Sequence, residues 1–218
     1  MVRARNRKDP EMSSLGEGKT SKWPRTSRRQ ERIEDVLLRR QPTLTVVLED
    51  VHDPHNASAV LRSCDAVGIL DVHLVYVNEE PPRKSFGRST SGSAAKWLRL
   101  HHHESIEACY AQLRQEGFTI AATALEPDSR DFYSLDLVQP TALVFGNEMR
   151  GVSPAGVAGA DVTTYIPMQG MVESLNISVS CAVTLYEAMR QRAVAGMYDT
   201  PRLGEAERRA IRDEWLTK

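Results

Sequence analysis

Short apolar runs separated by helical patterns constrain the fold of this 218-residue chain more than any other feature. The runs are rich in β-branched residues and occupy residues 44–48, 72–77, 118–122, 141–145 and 162–166. Because they do not alternate regularly between apolar and polar residues, each run is predicted to be a strand buried on both faces. We therefore expect an α/β fold with a mainly parallel sheet and helices on both faces.

Apolar residues at helical spacing predict four helices. One spans residues 28–40 and ends before Pro42, and another spans residues 205–216. The other two carry the stripes Ala57, Val60, Leu61 and Cys64, and Cys181, Ala182, Leu185, Tyr186 and Met189. Alternating strands and helices over this length are typical of one compact domain.

Charge is distributed unevenly along the chain. Residues 1–30 carry nine basic and three acidic residues, a balance of +6, whereas the remaining 19 basic and 26 acidic residues give −7. Residues 1–26 contain few apolar side chains and are predicted to be a disordered basic tail, with the folded domain at residues 27–218. Clustered arginines suit phosphate contacts, although a solvated basic tail with ordinary charged helix faces explains the charge equally well.

Several classes of protein are disfavoured. No stretch approaches the roughly 18 apolar residues of a membrane span, and no apolar signal core follows the first arginines. The three cysteines lie far apart, so neither a disulfide framework nor a structural zinc motif is expected, and a reducing cytoplasm is the natural setting. His101, His102 and His103 are consecutive; on a strand they point to opposite faces and cannot all bind one metal. We expect an exposed strand end there and no metal.

Nucleotide-binding and hydrolase fingerprints are also missing. Residues 16–20 resemble the end of a Walker A loop, but Ser13 stands where its first glycine belongs. Neither G-x-G-x-x-G after the first strand nor G-x-S-x-G is found. The sequence therefore gives no support for a Rossmann dehydrogenase or for an α/β-hydrolase.

Three polar loops follow predicted strands, where open α/β sheets bind ligands. The first, residues 49–56, enters the helix that carries Arg62, and Asn56 has the right chemistry for a helix cap. The second, residues 145–153, places two glycines around Glu148. The third, residues 166–176, leads to a helix whose first amides are free.

In this order the loops resemble the TrmH-type transfer-RNA guanosine 2′-O-methyltransferases of the SPOUT superfamily. The family's first motif, an asparagine followed six residues later by an arginine, matches Asn56 and Arg62 in D-P-H-N-A-S-A-V-L-R. The second matches F-G-N-E-M-R-G-V-S and the third I-P-M-Q-G-M-V-E-S-L-N. The likeness extends from about Arg32 to Tyr198, and three long motifs in order are highly specific.

The resemblance implies an S-adenosylmethionine-dependent enzyme with a deep trefoil knot in its carboxyl-terminal half. It also implies a homodimer, with the stripe that includes Cys181 and Leu185 as the expected interface. Transfer RNA is the implied substrate, with guanosine 18 of the D-loop as the target. Relatives that modify ribosomal RNA usually carry an additional amino-terminal RNA-binding domain. The first 30 residues of this sequence are too few to form one, which favours transfer RNA.

By the same resemblance, Arg62 is the catalytic arginine and Asn56 holds it. Because a guanidinium is a poor proton acceptor, we interpret Arg62 as a clamp on the 5′-phosphate and the developing alkoxide. The resemblance also implies that Glu148, Ser174 and Asn176 shape the site around the methyl donor and the ribose, that Gly146, Ile166, Met168 and Leu175, with Glu148 and Ser174, bind the cofactor, and that Arg32 assists the partner subunit's site. From their clustered charge, the arginines assigned to RNA are Arg28, Arg29, Arg32, Arg190, Arg192 and Arg202.

Three alternatives remain at this point. The chain could methylate a ribose in ribosomal or another RNA, could be a knotted RNA-binding protein without catalysis, or could methylate a base nitrogen. The intact motif residues argue against loss of catalysis, and base methylation normally uses a different acid or base.

Overall fold

The computed structural model describes residues 25–79 and 94–218, with side chains described from residue 27 onward. One sheet contains every strand of these residues, in the order β3-β2-β1-β6-β4-β7-β5, and all neighbouring strands are parallel. The strands are β1 (Leu44–Glu49), β2 (Asp71–Val75), β3 (Arg99–His103), β4 (Thr119–Thr123), β5 (Arg130–Asp131), β6 (Thr141–Phe145) and β7 (Val162–Tyr165). The five predicted strands are confirmed. Strand β3 includes the strand end expected at residues 101–103, where only His102 is exposed, and β5 is an addition; these two strands lie at the edges of the sheet.

Six α-helices connect and flank these strands: α1 (Arg25–Leu37), α2 (Pro54–Val67), α3 (Ile106–Gln115), α4 (Pro154–Gly159), α5 (Ile177–Val194) and α6 (Glu205–Thr217). The four predicted helices correspond to α1, α2, α5 and α6. No helix within the described ranges has the length and apolar character needed to span a membrane.

The helices cover both faces of the sheet, as expected. Val46 and Leu48 of β1 pack in one buried cluster with α2 and α5, whereas Val47 packs in another with α3. Successive residues of a strand point to opposite faces, so β1 lies between two apolar layers. Its six residues are all buried, which explains their unbroken apolar pattern.

The start and end of α2 are set by local chemistry. Asp53 caps the helix by accepting a hydrogen bond from the His55 amide, and Pro54 follows in the first turn, where its missing N–H costs nothing. Gly68 ends the helix at φ 92°, and a Cβ there would lie 2.7 Å from the Arg39 carbonyl oxygen. The expectation that Asn56 caps this helix is therefore wrong, and its side chain is available for other contacts.

The apolar stripe of α5 packs inside the subunit rather than on its surface. Cys181 and Leu185 are fully buried in the cluster shared with α2, and Met189 packs against it, while Tyr186 remains 51% exposed. The prediction that this stripe forms a dimer interface is wrong for these buried residues, because α2 and the sheet already cover them.

Two parts of the predicted architecture remain predictions. The trefoil knot follows from the resemblance alone. The tail at residues 1–26 falls almost entirely outside the described residues, and α1 begins at Arg25.

Candidate functional site

The first and second motif loops leave adjacent strands at the same edge of the sheet. Leu48 of β1 pairs with Phe145 of β6, so the chain leaves both strands at one level. The third motif loop follows β7 and reaches the same region through the start of α5, which packs on α2. Parallel strands place all three loops at their carboxyl ends, where α/β proteins bind ligands.

Glu148 connects the second loop to the first. Its carboxylate accepts hydrogen bonds from the backbone amides of His52 and Asp53, both at 3.2 Å, and from the Asn56 side-chain amide at 3.0 Å. Partial burial opposes ionisation of Glu148, but these hydrogen bonds outweigh it and lower the pKa of the carboxyl. The site therefore contains an ionised carboxylate at neutral pH.

Asn56 joins Glu148 to the third loop. Its amide nitrogen donates to Glu148, and its amide oxygen accepts a hydrogen bond of 3.1 Å from Asn176. Asn176 caps α5, because its side-chain oxygen accepts from the Ser178 amide and hydroxyl. The side-chain amide of Asn56 thus uses both its donor and its acceptor to connect three motifs that lie up to 120 residues apart.

Gly146 is required by the folding of its own loop. Asn147 and Gly151 pair across the loop, with the Gly151 amide donating to the Asn147 carbonyl oxygen at 2.8 Å. A Cβ on Gly146 would lie 2.1 Å from backbone atoms of Gly151 and Val152. The resemblance assigned Gly146 to cofactor binding; within the described residues, the space beside its Cα is filled by its own loop.

Asp50 is a positioning residue that the sequence analysis missed. It lies directly after β1 with φ 51°, a left-handed conformation that aspartate tolerates better than most residues. Its buried carboxylate accepts hydrogen bonds from the amides of Val77, Asn78 and Glu79, while its carbonyl oxygen accepts from Asn147 at 2.8 Å. The sequence feature that could have identified Asp50 is an acidic residue directly after a predicted strand.

The remaining assigned residues lie on α2 and in the third loop. Arg62 lies six residues beyond Asn56 on α2, with its side chain exposed. Ser174 is exposed in the third loop, and Ile166, Met168 and Leu175 are half-buried there. Arg62 therefore faces outward, where a substrate or a second subunit could reach it.

The arginines assigned to RNA divide into exposed and buried groups. Arg28, Arg29 and Arg32 lie exposed along α1, and Arg190 and Arg202 are also exposed. Arg32 pairs with Asp35 at 3.3 Å and Arg190 with Glu187 at 2.8 Å, as surface ion pairs that solvent weakens.

Arg192 does not belong to an RNA surface. Its side chain is 0% exposed, and it donates to the carbonyl oxygens of Leu137, Thr43 and Gln139 and to the side chains of Thr43 and Gln41. Burial lowers its pKa to about 10, so it remains charged at neutral pH. The RNA-binding assignment of Arg192 is therefore wrong: the residue fixes loop carbonyls inside the subunit.

A parallel sheet with three carboxyl-end loops joined through Asn56, Glu148 and Asn176 has the arrangement expected of a 2′-O-methyltransferase of the SPOUT class. The chain belongs to the SpoU rRNA Methylase family, whose model matches residues 43–186. The family predicted from the three motifs is thereby confirmed.

Individual relatives are more specific. The tRNA (guanosine(18)-2′-O)-methyltransferase of Thermus thermophilus is 50% identical over 194 residues, which cover 89% of this chain and 98% of the relative. A crystal structure of the TrmH/SpoU tRNA modifying enzyme of Aquifex aeolicus matches with a TM-score of 0.82 and 38% identity, covering 88% of this chain and 96% of that one. The SpoU methyltransferase AviRb from Streptomyces viridochromogenes, solved in complex with the cofactor AdoMet, matches at a TM-score of 0.63 and 28% identity, covering 73% and 61%.

Proposed function

We propose that this chain methylates the ribose 2′-hydroxyl of guanosine 18 in transfer RNA, using S-adenosylmethionine. The observation that carries the proposal is the direct contact between Asn56, Glu148 and Asn176, one residue from each family motif. The relative with this activity in Thermus thermophilus shares half of its residues with the chain over almost its whole length, which supports transfer RNA over ribosomal RNA. The proposed substrate implies a cytoplasmic enzyme.

The residues at the site suit S-adenosylmethionine, which supplies an electrophilic methyl group on a positively charged sulfur. The ionised, solvent-facing carboxylate of Glu148 complements that positive charge. The half-buried backbone around Ile166, Met168 and Leu175 offers hydrogen-bonding groups and apolar surface for the adenosine, with Gly146 and Ser174 beside it. Transfer of a methyl group from sulfur to oxygen needs positioning and removal of the hydroxyl proton, and it requires no metal.

Arg62 serves the nucleophile in this proposal. An exposed guanidinium on α2 binds the phosphate 5′ to the target ribose and stabilises negative charge as the 2′-oxygen loses its proton. Phosphate or water accepts that proton, because a guanidinium is a poor proton acceptor. Asn56 acts indirectly by fixing the start of α2 against Glu148 and Asn176.

The exposed arginines supply the RNA surface. Arg28, Arg29 and Arg32 lie on α1, and Arg190 and Arg202 follow on and after α5. The body of the protein is negatively charged, so these clusters and the basic residues before α1 must attract the polyanion.

The active form in this proposal is a homodimer. The outer side of α5 presents Val179, Val183 and Tyr186 at helical spacing, and the loop before it presents Met171 and Val172, which are highly exposed. Apolar side chains in this arrangement indicate an interface, and they lie beside the third motif. By the family resemblance, Arg32 of a second subunit is the arginine that assists this site. Light scattering at micromolar concentration should give twice the 24.4 kDa of one chain.

Mapping the modified nucleotide tests the reaction. The protein is incubated with an unmodified transfer-RNA transcript and labelled S-adenosylmethionine, and the label is located by nuclease digestion and mass spectrometry. We expect one methyl group on the ribose of guanosine 18, and none on a transcript whose guanosine 18 carries a 2′-deoxyribose. Label on a base, or on ribosomal RNA alone, would contradict the proposal.

A further inference from the structure

Three metal-binding side chains meet at the edge of the sheet, on the face covered by α3. His73 comes from β2, His103 from the end of the edge strand β3, and Cys109 from α3. One donor atom from each residue lies within 4.8 Å of the other two, and the His73 Nδ1 and His103 Nε2 atoms are 2.8 Å apart. These residues are absent from the methyltransferase site described above.

The sheet explains why this cluster forms. His73 pairs in register with His101, and His103 lies two residues further along the same strand, so both β3 histidines share a face with His73. His102 points to the other face and is exposed. His101 stacks on His73 with ring centroids 4.9 Å apart, and its Nε2 atom lies 2.7 Å from an Asp71 carboxylate oxygen. His101 is therefore engaged with Asp71, which leaves His73 and His103 facing Cys109.

We propose that His73, His103 and Cys109 bind a divalent transition-metal ion of the zinc class. Two imidazole nitrogens and one thiolate sulfur are a donor set that Zn²⁺ and Co²⁺ favour. Tetrahedral bonds of about 2.0 Å to nitrogen and 2.3 Å to sulfur place the donors roughly 3.3–3.6 Å apart. The two nitrogens must separate by about half an ångström and the sulfur must approach by about one, which side-chain rotations can supply.

Binding such an ion requires the loss or transfer of protons. The His73 Nδ1 and His103 Nε2 atoms share a hydrogen bond, so one of these nitrogens carries a proton that must leave it before both can bind the ion. Burial raises the pKa of the Cys109 thiol to about 12, so the ion must displace a proton as the sulfur–metal bond forms, and affinity should increase with pH. A water molecule would complete the four-coordinate shell.

The role of the proposed ion would be structural and not catalytic. Strand β3 lies at the edge of the sheet and pairs only with β2 among the described strands. A metal bound to β2, β3 and α3 would join this edge to the core and stabilise the folded chain by mass action.

Cobalt substitution gives a direct test on the unmodified chain. The metal-free protein is titrated with Co²⁺ and followed by absorption spectroscopy, and Zn²⁺ is then added in competition. We expect one Co²⁺ per chain, a near-ultraviolet band from thiolate-to-cobalt charge transfer, and intense visible bands typical of tetrahedral geometry, all removed by Zn²⁺. No binding near one ion per chain, or binding without the thiolate band, would overturn the proposal.

Matched variants locate the site. Cys109→Ala and His103→Gln should weaken Zn²⁺ binding by at least about tenfold, measured against a chromophoric chelator, and Cys109→Ala should also remove the thiolate band. The controls are Cys64→Ala, another buried cysteine, and His102→Gln, the exposed neighbour of His103. Equal losses in a variant and its control would refute this assignment. If Cys109→Ala does not fold, His103→Gln and the cobalt spectrum of the unmodified chain still decide.

Discussion

Exchanging the donor and the acceptor between Asn56 and Glu148 tests whether their contact positions the site. In the unmodified chain the Asn56 amide nitrogen donates to the Glu148 carboxylate at 3.0 Å. Asn56→Asp keeps the shape and the oxygen that accepts from Asn176, but it places a second carboxylate against the first. Charge centres about 4 Å apart repel each other by about 1 kcal/mol in water and about 4 kcal/mol at the effective dielectric of a protein surface.

The half-exposed setting of Asn56 lies between these limits. Adding the lost hydrogen bond, we expect a penalty of about 2–4 kcal/mol on the active arrangement, a decrease in kcat/KM of roughly 30- to 1,000-fold. Glu148→Gln alone removes the charge that orients the His52 and Asp53 amides and should cost about 1–2 kcal/mol. In the double variant the introduced amide can donate to the introduced carboxylate, which reverses the original hydrogen bond.

The double variant should therefore recover at least about tenfold in kcat/KM over Asn56→Asp alone, a coupling free energy of about 1.4 kcal/mol or more. Rescue should be incomplete, because the introduced amide nitrogen also faces the Asp53 amide, which donates to the same Glu148 oxygen. The assay is the initial rate of methyl transfer to a transfer-RNA transcript, with circular dichroism to verify folding. Strictly additive losses would show that the contact does not position the site.

Four further outcomes follow from the structure. Arg62→Ala should reduce methyl transfer by at least about a hundredfold while calorimetry gives a nearly unchanged affinity for S-adenosylmethionine; a large loss of cofactor binding would contradict the role assigned to Arg62. Arg192→Met removes five hydrogen bonds donated by the buried guanidinium and leaves the Leu137 carbonyl oxygen without a described donor, so it should lower the free energy of unfolding by about 2–4 kcal/mol in denaturant titrations, whereas the exposed Arg190→Met should leave it nearly unchanged. The folded pKa of Glu148 lies below its ordinary value. The stability that its carboxylate contributes is therefore complete above the unfolded pKa and is lost as pH falls through the folded pKa. The difference in melting temperature between the unmodified chain and Glu148→Gln should accordingly disappear in acid. Deleting residues 1–24, which carry six basic and three acidic residues, should weaken transfer-RNA binding and flatten its salt dependence with turnover at saturating RNA retained; the same slope from low to physiological salt would exclude a contribution from this segment.

Much of the architecture follows from local pattern. An unbroken apolar run such as residues 141–145 can only be a strand covered on both faces, and the structure places β6 there, with all five residues buried. The edge strand β3 was expected only as an exposed strand end at residues 101–103, because four of its five residues are polar and none is fully buried. Edge strands lack the burial that produces a hydrophobic signal.

The motif residues were also identifiable in sequence, because the three loops follow predicted strands and the family resemblance assigns Asn56, Glu148 and Asn176 within them. Their contacts were not. Asn56 had the chemistry of a helix cap, but Asp53 occupies that position, and only the packing of α2 against α5 brings Asn56 to Asn176. The charge of Arg192 indicated a surface for RNA, whereas the fold buries it among carbonyl groups.

Periodicity and neighbouring residues were therefore enough to predict the class of fold, five of the seven described strands, four of the six described α-helices and the three loops that make the site. The tertiary structure alone decided which side chains meet. Hydrogen-bond partners 92 and 120 residues apart, and a cluster of His73, His103 and Cys109 drawn from two strands and a helix, depend on sheet order and register. Those long-range pairings arise from the packing of whole elements, and no local pattern encodes them.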